Sequence, residues 1–176
     1  DKDIINTIKK TLNKSKITKS VSASIDSFII TPQELHWMDK NNENKWSDYL
    51  IHRYKFRYAK KLQKVSDFPP YLLIEPTSIC NLRCVMCFQV DETFSKNKSL
   101  MGLMSWELFT SVVDQAHENK CQAITMASRG EPTLHKKFIQ MLNYIGDKKF
   151  LDTKINSNAT RLNEKIIHAI LESVIS

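Results

Sequence analysis

Apolar residues in the first third of the chain recur at helical spacing, whereas beyond it short apolar runs alternate with helical stripes. Ile4, Ile5, Ile8 and Leu12 fall at such spacing in a Lys- and Ser-rich segment that ends near Ser27, predicting a short basic helix. Thr31-Pro32-Gln33-Glu34 has the form of a capping box with Pro at the first helical position, so a helix is expected through Leu35 and Trp37 to about Lys40. Asn41-Asn42-Glu43-Asn44 breaks it. A longer helix from Trp46 to Lys64 would gather Leu50, Ile51, Tyr54, Tyr58 and Leu62 on one side.

Pro69-Pro70 closes this region, and the pattern changes near Asp67. Tyr71-Leu72-Leu73-Ile74-Glu75 reads as a short buried strand, followed by helix 105–119, strand 122–127, helix 136–147, strand 152–156 and helix 164–175. Each helix carries an apolar stripe: Phe109, Val112, Val113 and Ala116; then Phe138, Met141, Leu142 and Ile145; then Ile167, Ile170, Leu171 and Val174. Ser105 suits the N-cap of the first, with Glu107 favourable in its first turn. Three βα units in succession predict an α/β fold with a parallel sheet, residues 69–176, preceded by a mainly helical extension, residues 1–68.

Composition adds little to this picture, but charge and cysteine placement add more. Hydrophobic residues make up 41% and charged residues 26% of the 176, with only three glycines, so a globular, helix-favouring chain is expected. The net charge of +7 is concentrated in residues 1–69, which hold 14 Lys/Arg against 8 Asp/Glu, while residues 70–176 hold 12 against 11. A basic extension of this kind is more often a solvated surface than a nucleic-acid or lipid contact. The sequence has no run of eighteen apolar residues and no secretory signal at its start, so a soluble, cytoplasmic chain without a transmembrane segment is expected. Sequons at Asn13, Asn97 and Asn158 have meaning only in a secreted protein.

Three of the four cysteines stand at Cys80, Cys84 and Cys87, in a loop directly after the first strand, where parallel α/β proteins place their chemistry. Iron–sulfur clusters usually take four thiolates, and three leave one iron open to a substrate or cofactor. Structural zinc wants four ligands, and Cys121 and His135 lie far along the sequence. Cys121 at a strand start suits a buried, inert thiol, and His135 a capping or packing role.

The Cys80-x-x-x-Cys84-x-x-Cys87 spacing resembles the signature of the radical S-adenosylmethionine (SAM) superfamily. The resemblance implies a (β/α)6-type barrel, of which residues 69–176 are the first three βα units. It also implies a [4Fe-4S] cluster on Cys80, Cys84 and Cys87, whose fourth iron is chelated by the amino and carboxylate groups of SAM. One-electron reduction in that family cleaves SAM to methionine and a 5′-deoxyadenosyl radical, which abstracts hydrogen from the substrate. Ser128-Arg129-Gly130-Glu131-Pro132-Thr133-Leu134-His135 is similar to the family's GEP motif, which implies that Gly130 and Glu131 contact the SAM amino group. Arg129 replaces the usual Gly, with consequences for the local turn or a carboxylate partner of its own. Ser157, Asn158 and Ala159 occupy the positions of a Thr-Asn-Gly motif after the third strand, implying SAM contact or support of the site, though short polar residues there are also ordinary turn formers. Phe88 is a candidate cover for the cluster or the adenine, against the commoner core role of an aromatic. Met86 stands where many members have an aromatic.

The stretches Ile-Glu-Pro-Thr-Ser-Ile-Cys-Asn-Leu-Arg-Cys and Arg-Gly-Glu-Pro-Thr-Leu-His are similar to members with a C-terminal SPASM or twitch domain, implying a peptide, protein or sugar substrate and a one-electron reductant such as flavodoxin or ferredoxin. Three βα units cannot close a barrel, the sequence starts without Met and it stops in a predicted helix, so the remainder of the barrel is expected elsewhere in a longer polypeptide or on a second chain. Trp37, Trp46, Tyr54 and Tyr58 fit a packing face better than a contact surface. The competing class is a non-catalytic binding module stabilised by an Fe–S cluster or zinc, with a basic extension touching nucleic acid or protein. It would hold metal without turning SAM over.

Overall fold

The computed structural model describes residues 30–62, 66–127 and 129–174, with side chains described up to residue 57 in the first stretch and to residue 173 in the last. The basic helix expected before Ser27, and the side chains of Tyr58, Leu62 and Val174, lie outside them. The chain divides into two compact units, Asp1–Ser66 and Asp67–Ser176.

In the first unit, helix α1 (Pro32–Lys40) begins as its capping box requires. The Thr31 hydroxyl accepts from the Glu34 N–H at 3.4 Å while the Glu34 carboxylate accepts from the Thr31 N–H at 2.8 Å. Helix α2 (Trp46–Leu62) follows a 3-10 turn, Glu43–Lys45. Leu50 is fully buried, as the stripe predicts, but Tyr49 and His52 are buried with it, and Ile51 and Tyr54 only half. Polar anchoring explains the rotation. The fully buried Glu34 carboxylate accepts from both Arg53 and Arg57, which pulls that side of α2 inward. Trp37 stacks on Tyr49 with ring centroids 3.8 Å apart, and Trp46 Nε1 donates to the Met38 and Asn41 carbonyls, so these two tryptophans do pack.

The second unit alternates strand and helix. Strand β1 (Tyr71–Ile74) leads through a long excursion, with the short helix α3 (Glu92–Ser95), to helix α4 (Trp106–Glu118). Strand β2 (Ala123–Met126), helix α5 (Phe138–Asp147), strand β3 (Asp152–Ile155) and helix α6 (Glu164–Val174) complete it. The three strands are parallel in the order β1-β2-β3, with Ile74, Met126 and Ile155 in register. Ser105 caps α4 as expected, accepting from the Leu108 N–H at 3.1 Å. Phe109, Val113 and Ala116 of α4 and Phe138, Met141, Leu142 and Ile145 of α5 bury against Ile74, Ile124 and Met126. Each large one contributes roughly 1.5–3 kcal/mol.

The stripe expected on α6 is corrected. Ile167 and Leu171 are 43% and 50% exposed, and Ile166, Ala169 and Ser173 are the buried positions. The cause is a close helix approach: a Cβ at Gly146 would lie 3.1 Å from the Ser173 Cα, so α6 presents its small residues to α5. Of the expected stripe, Ile170 does pack against the core, whereas Ile167 and Leu171 face outward. Among the described residues no helix is long and apolar enough to cross a membrane.

His52 supplies a test of the first unit. Burial, then the adjacent Arg53 charge, lowers its pKa from 6.5 to about 4, and its Nδ1 has no hydrogen-bond partner among the described residues. The unfolded chain takes up a proton below pH 6.5 that the fold refuses until about pH 4, so the stability is full above 6.5 and declines as pH falls through that window. The loss approaches about 3 kcal/mol at roughly 1.4 kcal/mol per pH unit. Chemical denaturation followed by circular dichroism between pH 7.5 and 4 should show this slope in the wild type and a shallower one in His52→Leu.

Candidate active site

The loops that leave β1, β2 and β3 meet at one end of the sheet, and backbone rather than side-chain bulk brings them together. A Cβ at Gly130 would sit 1.9 Å from the Thr77 carbonyl oxygen and 2.8 Å from that of Ile79, so only glycine lets the loop after β2 lie against the segment entering Cys80. The Glu131 N–H then donates to the Ile79 carbonyl at 2.9 Å. Gln89, 1% exposed, donates through Nε2 to the Ser78 carbonyl at 2.7 Å and the Arg129 carbonyl at 2.9 Å, clamping the same two loops. Its Oε1 has no partner among the described residues.

Thr77 and Ser78 are held from the other side. Both hydroxyls donate to the excursion after α3, Thr77 to the Gly102 carbonyl and Ser78 to the Leu100 carbonyl, each at 2.9 Å. Thr77 also pairs with Leu103 in an isolated antiparallel bridge. Thr77, Ser78, Gln89 and Gly102 are the site residues that sequence reading missed, since each acts through backbone carbonyls that no side-chain pattern announces.

Beyond this brace stand the thiols. Cys80, Cys84 and Cys87 are free and at least partly exposed, while Cys121 is buried. The Cys87 N–H closes a turn on the Cys84 carbonyl at 2.8 Å, and Arg83 donates to the Cys80 and Leu82 carbonyls. Val85 and Met86, between the last two thiols, are 89% and 86% exposed. Phe88 is about half exposed and meets Phe94 edge to face at 4.8 Å, so it is a surface aromatic beside the loop and not core. Cys121 donates to the Ala123 carbonyl, and burial pushes its thiol pKa up, consistent with an inert role.

Glu131 is 2% exposed, and its carboxylate joins the loops after β2 and β3. Oε1 accepts from the Thr133 N–H at 3.1 Å, the Thr133 hydroxyl at 2.5 Å and the Ser157 hydroxyl at 2.7 Å, while Oε2 accepts from the Asn158 N–H at 2.6 Å. Burial alone would raise its pKa, but the hydrogen bonds from Asn158, Thr133 and Ser157 outweigh it and hold the carboxyl below its ordinary value. Asn158 extends the chain of contacts: Nδ2 donates to the Asn81 Oδ1 at 3.0 Å and lies 3.8 Å from the Cys80 Sγ. Arg129 finds the carboxylate partner considered for it, gripping Glu75 through Nε and Nη2, and its backbone carries no positive φ. His135 packs and caps, with Nδ1 accepting from the Lys137 N–H and Nε2 donating to the Met104 carbonyl. An open cleft of about 490 Å³ lined by Thr133, Thr160, Arg161, Leu162, Asn163 and Ile166 borders the thiol loop through Thr160, whose hydroxyl accepts from Asn81.

The donor set fits an iron–sulfur cluster. Among the described residues no three of His, Cys, Asp and Glu converge as ligands of a single ion. Cluster thiolates bind different irons, so they need no such convergence.

A parallel sheet whose strand-end loops carry the thiols, a buried carboxylate and the polar turn after β3 defines an α/β protein with its chemistry at the carboxyl edge of the strands. Residues 74–176 match the Radical SAM superfamily, and the chain belongs to it. That superfamily uses a [4Fe-4S] cluster and SAM. The chain is 32% identical over 103 residues to the tungsten-containing aldehyde ferredoxin oxidoreductase cofactor-modifying protein of Pyrococcus furiosus, covering 58% of this chain and 27% of that protein. It is also 32% identical over 101 residues to a cysteine-type anaerobic sulfatase-maturating enzyme of Clostridium novyi, covering 53% and 27%. The chain thus spans about a quarter of the length of these relatives. In fold it is similar to Streptococcus suis SuiB bound to S-adenosylmethionine (TM-score 0.51, 20% identity, 96% of this chain and 34% of that one). BtrN in complex with AdoMet and 2-DOIA is a further neighbour (TM-score 0.53, 19% identity, 62% and 44%).

Two substitutions test the loop geometry in opposite directions. Gly130→Ala must push the β1 and β2 loops apart and should cost at least about 3 kcal/mol, the upper end of overpacking. Ala159 holds a left-handed φ of 64°, which costs a non-glycine residue roughly 1–2 kcal/mol. Ala159→Gly should therefore stabilise by about 0.5–1 kcal/mol after the added chain entropy is subtracted. Urea denaturation of both variants checks the signs.

Proposed function

We propose that this chain carries the cluster- and SAM-binding part of a radical SAM enzyme that acts on a peptide or protein. The observation that supports it most is the placement of three free thiols on the β1 loop, tied by Gly130, Gln89 and Glu131 to the loops after β2 and β3. In this reading Cys80, Cys84 and Cys87 hold the [4Fe-4S] cluster. When bound, cluster and SAM supply a one-electron reductive cleavage whose carbon radical takes hydrogen from the substrate.

The chain's own residues orient and shield. Gly130 and Glu131 place backbone groups of the β2 loop beside the thiol loop, where the SAM amino group would bind. Glu131 has most of its acceptor capacity committed to Thr133, Ser157 and Asn158, and Oε2 retains a lone pair for an ammonium. Ser157 and Asn158 complete the SAM side of the loop, and the exposed Phe88 offers a face for the adenine or for substrate. An external one-electron reductant of the flavodoxin or ferredoxin kind is required. Two named neighbours favour the substrate class: one relative matures a sulfatase, and SuiB was crystallised with its precursor peptide SuiA.

Anaerobic reconstitution with iron and sulfide tests the assignment. Cys80→Ala, Cys84→Ala and Cys87→Ala should each lose most cluster iron and acid-labile sulfide, while Cys121→Ala keeps both, and SAM should perturb the EPR signal of the reduced wild type. Zinc in place of iron, or full cluster content in any loop-cysteine variant, would contradict it.

A further inference from the structure

Asn158 stands out because its atoms serve two separable purposes. Its Oδ1 accepts from the Thr160 N–H at 3.1 Å and the Thr160 hydroxyl at 2.7 Å, building the turn after β3. Its Nδ2 has no part in that turn. Both of its contacts cross to the cysteine loop, to the Asn81 Oδ1 at 3.0 Å and to the Cys80 Sγ at 3.8 Å. The side chain is oriented from behind: the Asn158 N–H is fixed on the buried Glu131 carboxylate at 2.6 Å, and the same carboxylate takes the hydroxyl of Ser157. The amide cannot be turned over without penalty, because exchanging Oδ1 and Nδ2 would set a donor against the Thr160 N–H and an acceptor against the sulfur.

From this geometry we infer that Asn158 is a positioning residue whose amide donates an N–H···S hydrogen bond to the Cys80 thiolate and so raises the reduction potential of the cluster. Hydrogen bonds to ligating sulfurs are one of the levers that set such potentials, since a donor relieves the negative charge that the reduced cluster gains. The line Glu131 to Asn158 to Cys80 carries the order of the β2 and β3 loops to a ligand on the β1 loop. This assignment rests on the reading of Cys80 as a cluster ligand.

Asn158→Asp keeps the acceptor for Thr160 and removes the donor, whereas Asn158→Ala removes both. In the reconstituted full chain, EPR-monitored redox titration should place the midpoint of both variants below that of the wild type, at equal iron per chain. Resonance Raman spectra of the wild type should contain an Fe–S(Cys) stretch that shifts in D2O, and both variants should lose that shift. The D2O measurement on the wild type needs no variant to fold. A wild-type cluster with no deuterium-sensitive stretch, or variants with the wild-type midpoint, overturns the inference alone. A wild-type chain that takes up no iron–sulfur cluster overturns it together with the cluster reading.

Discussion

The site depends on keeping one carboxylate ionised where little of it meets solvent. Glu131 is almost completely buried, and burial by itself favours its neutral form. Four uncharged donors, the Thr133 N–H and hydroxyl, the Ser157 hydroxyl and the Asn158 N–H, reverse that preference. Hydrogen bonds to an ionised acceptor are stronger than neutral ones, so the arrangement holds the ends of two strands together more firmly than two turns of this length would manage alone. Removing any one donor leaves buried charge short of a partner, which makes the network cooperative.

The remaining contacts follow from where Glu131 must sit. Its N–H reaches the Ile79 carbonyl only because Gly130 has no Cβ, and Gln89 secures the same approach from the far side. The excursion between α3 and α4 presses Thr77 and Ser78 into place through Leu100 and Gly102. Cys80 thereby begins its loop from a brace of backbone hydrogen bonds, while Cys84, Val85 and Met86 stay open to solvent. Rigid support below and exposure above is the division of labour expected of a loop that must receive a cofactor.

Much of this was legible in the sequence, for identifiable reasons. Period-3.6 stripes and short apolar runs located the βα alternation, although only β2 is buried throughout, and Leu73 of β1, expected in a buried strand, is half exposed. The cysteine spacing was informative because few other uses of three thiols so close together exist. Other features were not legible. The inward face of α6 is set by the Gly146–Ser173 approach, a steric fact that outranks the greater hydrophobicity of Ile167 and Leu171. The orientation of α2 is set by Glu34 drawing Arg53 and Arg57 inward, an electrostatic preference that an apolar count ignores. Gln89 reads as an ordinary polar residue until its two carbonyl partners are seen. Sequence likewise pointed Glu131 and Asn158 toward SAM, where the structure adds an internal role for both that depends on three loops meeting.

Cys80, Cys84 and Cys87 are proposed to hold a single cubane cluster with one iron left open. Mössbauer spectroscopy of the 57Fe-reconstituted chain with and without SAM addresses it most directly. A [4Fe-4S]2+ spectrum is expected in which SAM shifts the parameters of one iron site and leaves the others in place. A spectrum of mononuclear or two-iron species, or a cubane indifferent to SAM, would contradict it.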